Sequence, residues 1–273
     1  MIDRAIVFGA HGGLIGVFSE PATVLPGKRR AVIMSNVGMH HRAGPFRLYV
    51  KLARRLADAG VAALRFDMSG MGDSLPRHDA ATPAERAARD LDDAMRWLTE
   101  SAGIEEFILV GLCSGVDSAH AAATRDRRVT GAVFIDGYVY PTNGFRVRKY
   151  TVRFLQLGRW RRYLQRGLRD GRRNGKQLVE ASVFERDLPT HDQFRRDVAE
   201  MTHRRTDVLF IFTSGVMHEF NALRQLTEML GSAPDWRHIA SELMPRANHV
   251  FSSAEQRGLL LSRLENWVLS LPR

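Results

Sequence analysis

The stretch Phe107-Ile-Leu-Val-Gly-Leu-Cys-Ser-Gly115 holds the one cysteine of the chain, with a serine directly after it. Either side chain could act as a nucleophile, and the spacing of the glycines separates them. Gly111-Leu112-Cys113-Ser114-Gly115 is the G-x-nucleophile-x-G pattern with cysteine at its centre. The nucleophile of such a pattern stands on a tight, strained turn, and side chains two residues to either side would collide with the following helix or a neighbouring strand. Centring the pattern on Ser114 would put Leu112 and Val116 where small residues are needed. The register therefore favours Cys113. The apolar run before it reads as a strand and Ser114 to Arg125 as a helix. A helix N-terminus behind the thiol stabilises its thiolate form. An inert buried cysteine is the plainer reading of any single thiol, and strand, elbow and helix together argue against it.

The elements around the turn follow a repeated rhythm. Short apolar, β-branched runs read as strands: AIVFGA, LIGVFSE, AVIMSNV, VAALRFDM, FILVGL, VTGAVFID and DVLFIFTS, with WRHIASELM as a weaker eighth. Helical periodicity marks FRLYVKLARRLADAG, which stops at Gly60. It also marks TPAERAARDLDDAMRWLTESAG, where Thr82, Pro83 and Glu85 carry a capping signature. Buried strands alternating with helices predict an α/β fold, a mostly parallel sheet of about eight strands covered on both faces. The rhythm breaks after VFIDGY and resumes at DVLFIF. The predicted organisation is a core over 1–138, a helical, Arg-rich lid insertion over 139–206, and a second part of the core over 207–273. Inside the insertion Tyr150, Phe154, Leu157, Trp160, Leu164 and Leu168 step by three or four and predict one apolar helix face.

Composition sets outer limits. The 273 residues suffice for one large core, and 44% apolar with 26% charged residues is ordinary for a globular protein. The N-terminal MIDRAIVFGA lacks a basic region followed by a long apolar stretch, so no signal peptide is expected. No apolar run approaches the ~18 residues of a membrane span. A lone cysteine fits a reducing compartment, and a cytoplasmic location is the expectation. Much of the net charge of +10 falls within residues 145–176. A local basic face of this kind suits a phosphate-bearing partner such as coenzyme A, an acidic carrier protein, an anionic glycan or an anionic membrane surface. It equally suits a plain solvated face. Charge without a binding module gives only nonspecific affinity for nucleic acid, which is the least expected partner.

At the elbow and around it the chain resembles the α/β-hydrolase superfamily. More narrowly it is similar to bacterial serine-aminopeptidase-like hydrolases, including those associated with exosortase and polysaccharide gene clusters. In that group a G-P-x-R-x-x-V element precedes R-F-D-x-S-G-x-G-D-S, here Gly44, Pro45, Arg47 and Val50, then Arg65 to Ser74. The resemblance implies a nucleophile, an acid after a late strand and a histidine near the C-terminus. His249, in NHVF before the final helix, takes the base position among ten histidines because of its loop. The acid is open. Glu219 is the carboxylate nearest the end of VLFIFTSG, although the common spacing falls on His218, and it is preferred slightly. Asp136, at the end of VFIDG, is the alternative, since some superfamily members draw the acid from that earlier strand.

An oxyanion hole should come from backbone N–H groups, one after the nucleophile and one after the third strand. These are Ser114, for its amide rather than its hydroxyl, and Gly38 or Met39. His40 and His41 beside them are expected to contact substrate, as are Arg159 and Trp160 of the insertion. Adjacent histidines point apart and no spaced third ligand follows, so no metal is expected. GMGDS lacks the third glycine of a dinucleotide fingerprint, and no cofactor is expected; Asp73 and Ser74 read as fixing a loop.

A thiol nucleophile shapes the chemistry. Its attack on an ester or thioester gives a thioester acyl-enzyme, still a good acyl donor. The expected activity is hydrolysis of an ester or thioester by Cys113, His249 and an acid. Passage of the acyl group from a coenzyme A or carrier thioester to an acceptor other than water is the alternative. Dienelactone hydrolases and polyhydroxyalkanoate synthases resemble this site in using cysteine at the elbow. A non-catalytic binding protein on a hydrolase fold is the reading from a different class.

Overall fold

The computed structural model describes residues 1–23, 27, 29–155 and 188–272. Its eight strands form one sheet: β1 (Ile2–Phe8), β2 (Leu14–Glu20), β3 (Arg30–Met34), β4 (Ala62–Asp67), β5 (Glu106–Leu112), β6 (Val129–Ile135), β7 (Asp207–Thr213) and β8 (Ile239–Met244). Their order is β1-β2-β4-β3-β5-β6-β7-β8. β2 pairs antiparallel with β1 and β4, and every pairing from β4 through β3 to β8 is parallel. The weak eighth candidate is thus a true edge strand.

Both faces are covered, and the period-2 alternation of the strands divides their side chains between two cores. On β5, Phe107 and Leu109 enter one core while Ile108, Val110 and Leu112 enter the other. The helices α1 (Leu48–Asp58) and α7 (Ala254–Ser270) close the second core through Leu52, Leu56, Leu260 and Leu264. Against the first lie α2 (Pro83–Ala102), α3 (Gly115–Arg125), α5 (His191–His203) and α6 (Arg224–Leu230). α4 (Asn143–Leu155) precedes α5 in the chain. The α2 cap forms as its sequence predicts. Thr82 Oγ1 accepts from Glu85 N at 3.3 Å and Glu85 accepts from Thr82 N at 2.7 Å, an arrangement worth about 1 kcal/mol.

α5 lies within the segment assigned from sequence to the lid, yet Phe194, Val198 and Met201 pack it into the first core beside Phe210. It is the crossover helix between β6 and β7. The remainder of the Arg-rich segment, 156–187 with Arg159, Trp160, Leu157, Leu164 and Leu168, lies outside the described residues. Among the described residues no helix is long and apolar enough to cross a membrane.

Candidate active site

The carboxyl ends of the parallel strands converge on one edge of the sheet, where open α/β sheets place their ligand sites. Cys113 follows β5 directly, and its N–H donates to Ile135 O at 2.9 Å, extending the β5–β6 ladder by one step. Its φ of 56° is left-handed, a conformation that a non-glycine residue adopts at a cost. The glycines beside it have the purpose that the sequence assigns them. A Cβ on Gly111 would stand 2.6 Å from Gly115 O and 2.7 Å from Val116 Cα; one on Gly115 would stand 2.8 Å from Asn36 O. The turn therefore closes only without those side chains.

Asp136 occupies the matching position after β6. Its N–H donates to Ile211 O at 2.9 Å and it too is left-handed, with φ 47°. Its carboxylate is fully buried and accepts from Thr213 N at 2.6 Å and from the Thr213 hydroxyl. The remaining direction is taken by His249, whose Nδ1 lies 2.8 Å from Asp136 Oδ2. Two non-glycine residues with strained backbones thus stand at the ends of adjacent strands, a clustering typical of functional sites.

The loop carrying His249 is fixed at both ends. Ala247 and Phe251 are buried, and Ala247 O accepts from Ser214 N at 2.9 Å and Ser214 Oγ at 2.8 Å. Gly215 lets β7 end flush against the imidazole, since its Cβ would fall 2.8 Å from His249 Cβ and 3.3 Å from Asp136 Oδ2. The imidazole is hydrogen-bonded to Asp136 and also to the Cys113 side chain. Together these bonds, with the Asp136 bond the stronger, outweigh partial burial and push its pKa up to about 10. The imidazole is held between a carboxylate and a sulfur.

Of the two carboxylates open in the sequence, the structure brings Asp136 to His249. Glu219 is half-exposed on the wall of the adjoining cleft, and its ion-pair partner is His218 at 3.8 Å. Glu219, slightly preferred in the sequence, turns its side chain toward solvent, whereas Asp136 meets the imidazole from a neighbouring strand end. Thr213 and Gly215 went unnoticed in the sequence. The Thr-Ser-Gly following an apolar strand was the available signal.

Gly38 lies after β3 with φ 52°, but its N–H is engaged: it donates to Ser114 Oγ at 2.8 Å. The amide expected to face substrate meets a hydroxyl instead, because the absence of a side chain at Gly115 lets the two segments approach. Met39, next in the chain, is 77% exposed. His40 is exposed, and His41 lies 3.3 Å from Asp73 and 3.5 Å from Asp67. His41, Asp67 and Asp73 offer donor atoms within 4.8 Å of one another, the arrangement a metal ion would need. The Arg42 guanidinium already bridges the two carboxylates, 2.7 Å from Asp73 and closer still to Asp67, and offsets one of their two charges. Ser74 fixes the same loop, donating to Asp67 O at 2.5 Å and accepting from Ile15 N at 2.9 Å.

Beside the Cys113–His249–Asp136 line opens a cleft of about 320 Å³, walled by Tyr138, Val139, Tyr140, Leu188 and Val216. Another cleft, about 380 Å³, lies at the opposite, amino ends of β3 and β4, far from any of these groups.

Known proteins share the fold. An esterase from Pyrococcus furiosus superimposes with a TM-score of 0.62 at 12% identity, over 98% of this chain and 92% of its own. The esterase domain of a Rhodothermus marinus protein gives 0.57 at 17%, over 98% of both chains. An alpha-beta serine hydrolase homologue from Coxiella burnetii gives 0.56 at 17%, over 97% and 98%. A polyketide transferase, grgF, of a Penicillium species is 34% identical over 88 residues, 31% of this chain, and the match spans 29% of that relative's length. Residues 24–267 match the sequence model of the alpha/beta hydrolase family. The chain belongs to the alpha/beta hydrolase family.

Proposed function

We propose that this hydrolase cleaves an ester or thioester through Cys113, with His249 as acid and base and Asp136 orienting the imidazole. The observation that carries the reading is the continuous line from the sulfur through the imidazole to a fully buried carboxylate, standing at a strained elbow. A raised His249 pKa favours a thiolate–imidazolium pair at rest, so the nucleophile needs no further deprotonation. Attack by sulfur on the acyl carbon forms a C–S bond. The leaving oxygen or sulfur takes the proton from His249 Nε2 as its bond to carbon breaks. His249, now neutral, accepts a proton from water. The hydroxide equivalent attacks the thioester, and the thiolate and imidazolium are restored.

Transfer of the acyl group to an acceptor other than water is the second reading. It draws support from the partial similarity to a polyketide transferase and from the reactivity that a thioester acyl-enzyme keeps.

Steady-state turnover of a nitrophenyl ester and of a short acyl thioester tests the proposal. Wild-type protein should turn over at least one, and Cys113→Ala neither. Undiminished turnover by Cys113→Ala would refute it.

A further inference from the structure

When a thiolate attacks a carbonyl, negative charge develops on the oxygen and needs donors already in place. One expected donor is committed elsewhere, since the Gly38 N–H points into Ser114 Oγ at 2.8 Å. Ser114 heads α3 with φ −64° and ψ −21°, and its side chain makes no cap bond to the helix. The hydroxyl is therefore turned off the helix end and toward the β3–α1 loop. That orientation depends on the close approach at Gly115, whose Cβ would meet Asn36 O.

A hydroxyl has one O–H donor and two lone pairs. Gly38 occupies a lone pair, and among the described residues no acceptor receives the O–H. A hydroxyl that accepts an N–H is polarised by it and donates more strongly in turn. We infer that Ser114 Oγ–H is itself an oxyanion donor, in a relay running from Gly38 N–H through the Ser114 hydroxyl to the substrate oxygen. Ser114 then supplies both its amide and its side chain to the oxyanion, and Gly38 acts one bond further back. The inference rests on the reading of Cys113 as the acylated nucleophile.

The experiment compares acylation by a matched pair of nitrophenyl esters, one with a C=O and one with a C=S, which accepts hydrogen bonds weakly. Ser114→Ala should lower the acylation rate on the C=O ester by about 10²-fold, the usual effect of losing one such donor. KM should stay nearly constant, the preference for C=O over C=S should shrink, and Ser114→Thr should recover most of the rate. Equal losses on both esters, or loss in Ser114→Thr matching that in Ser114→Ala, would assign the hydroxyl a merely structural role and overturn the relay. A faster Ser114→Ala would overturn it differently, showing that the hydroxyl blocks Gly38. Intact mass of the wild type separates the two levels. Absence of an acyl adduct there removes the Cys113 reading and the relay together; a normal adduct with an unaffected Ser114→Ala removes the relay alone.

Discussion

Asp136 Oδ2 and His249 Nδ1 stand 2.8 Å apart although 113 positions of sequence separate them. The carboxylate is fully buried, with Thr213 and His249 as its partners. In the proposed mechanism this contact fixes the imidazole's tautomer and its direction toward Cys113. Asp136→Asn should therefore reduce kcat/KM by about 10²–10⁴-fold, the range general for acid–base machinery. Glu219→Gln should change it by no more than about 3-fold, as expected for an exposed pair. Initial rates on a nitrophenyl ester decide between the two.

The same contact gives a pH dependence. An unfolded imidazole titrates near about 6.5, whereas His249 in the fold is raised to about 10 by Asp136 first and Cys113 second. The folded state binds the additional proton between those values. Its stabilising effect is complete below the unfolded pKa and is lost as pH rises through the folded one. The difference in Tm between wild type and His249→Asn should be larger near pH ~6 than near pH ~10. Alkylation of Cys113 by iodoacetamide near pH ~6 should also slow by about tenfold or more in His249→Asn, because no imidazolium then favours the thiolate.

Gly215 is expected to be essential through shape alone. A methyl group there would press on His249 Cβ from 2.8 Å, and displacement of a catalytic group by about 1 Å can cost about 10²-fold. Gly215→Ala should lower kcat by that order. Its Tm should stay within a few degrees of wild type, as read by calorimetry.

Tyr49 gives a prediction of stability. Its ring is buried against the elbow-side core, and its hydroxyl has no hydrogen-bond partner among the described residues; burial first and the nearby Cys113 second raise its pKa. An unsatisfied buried hydroxyl costs about 1–3 kcal/mol. Tyr49→Phe should be as stable as wild type or more so, measured as a urea midpoint with unchanged slope.

The sheet was legible because each strand is an apolar run bounded by turn residues, and the tight turn at Cys113 because Gly111 and Gly115 leave one register open. The carboxylate partner of His249 was not legible. Asp136 and Glu219 both follow strands, and only the packed sheet shows that one is buried with its carboxylate on the imidazole while the other leans to solvent. α5 read as part of the basic insertion because seven of its thirteen residues are charged or histidine at ordinary spacing, HDQFRRDVAEMTH, with one buried stripe of Phe194, Val198 and Met201. The Gly38–Ser114 bond was hidden for a further reason. It depends on an approach between segments 76 positions apart that the missing side chain at Gly115 permits.

The central claim is that sulfur, not the adjacent hydroxyl, carries the acyl group. Acid quenching during turnover of a nitrophenyl ester, followed by proteolysis and fragmentation mass spectrometry, places the adduct on one residue. The acyl mass should reside on Cys113 and vanish in Cys113→Ala. An acyl mass on Ser114, or labelling that persists in Cys113→Ala and disappears in Ser114→Ala, would contradict it.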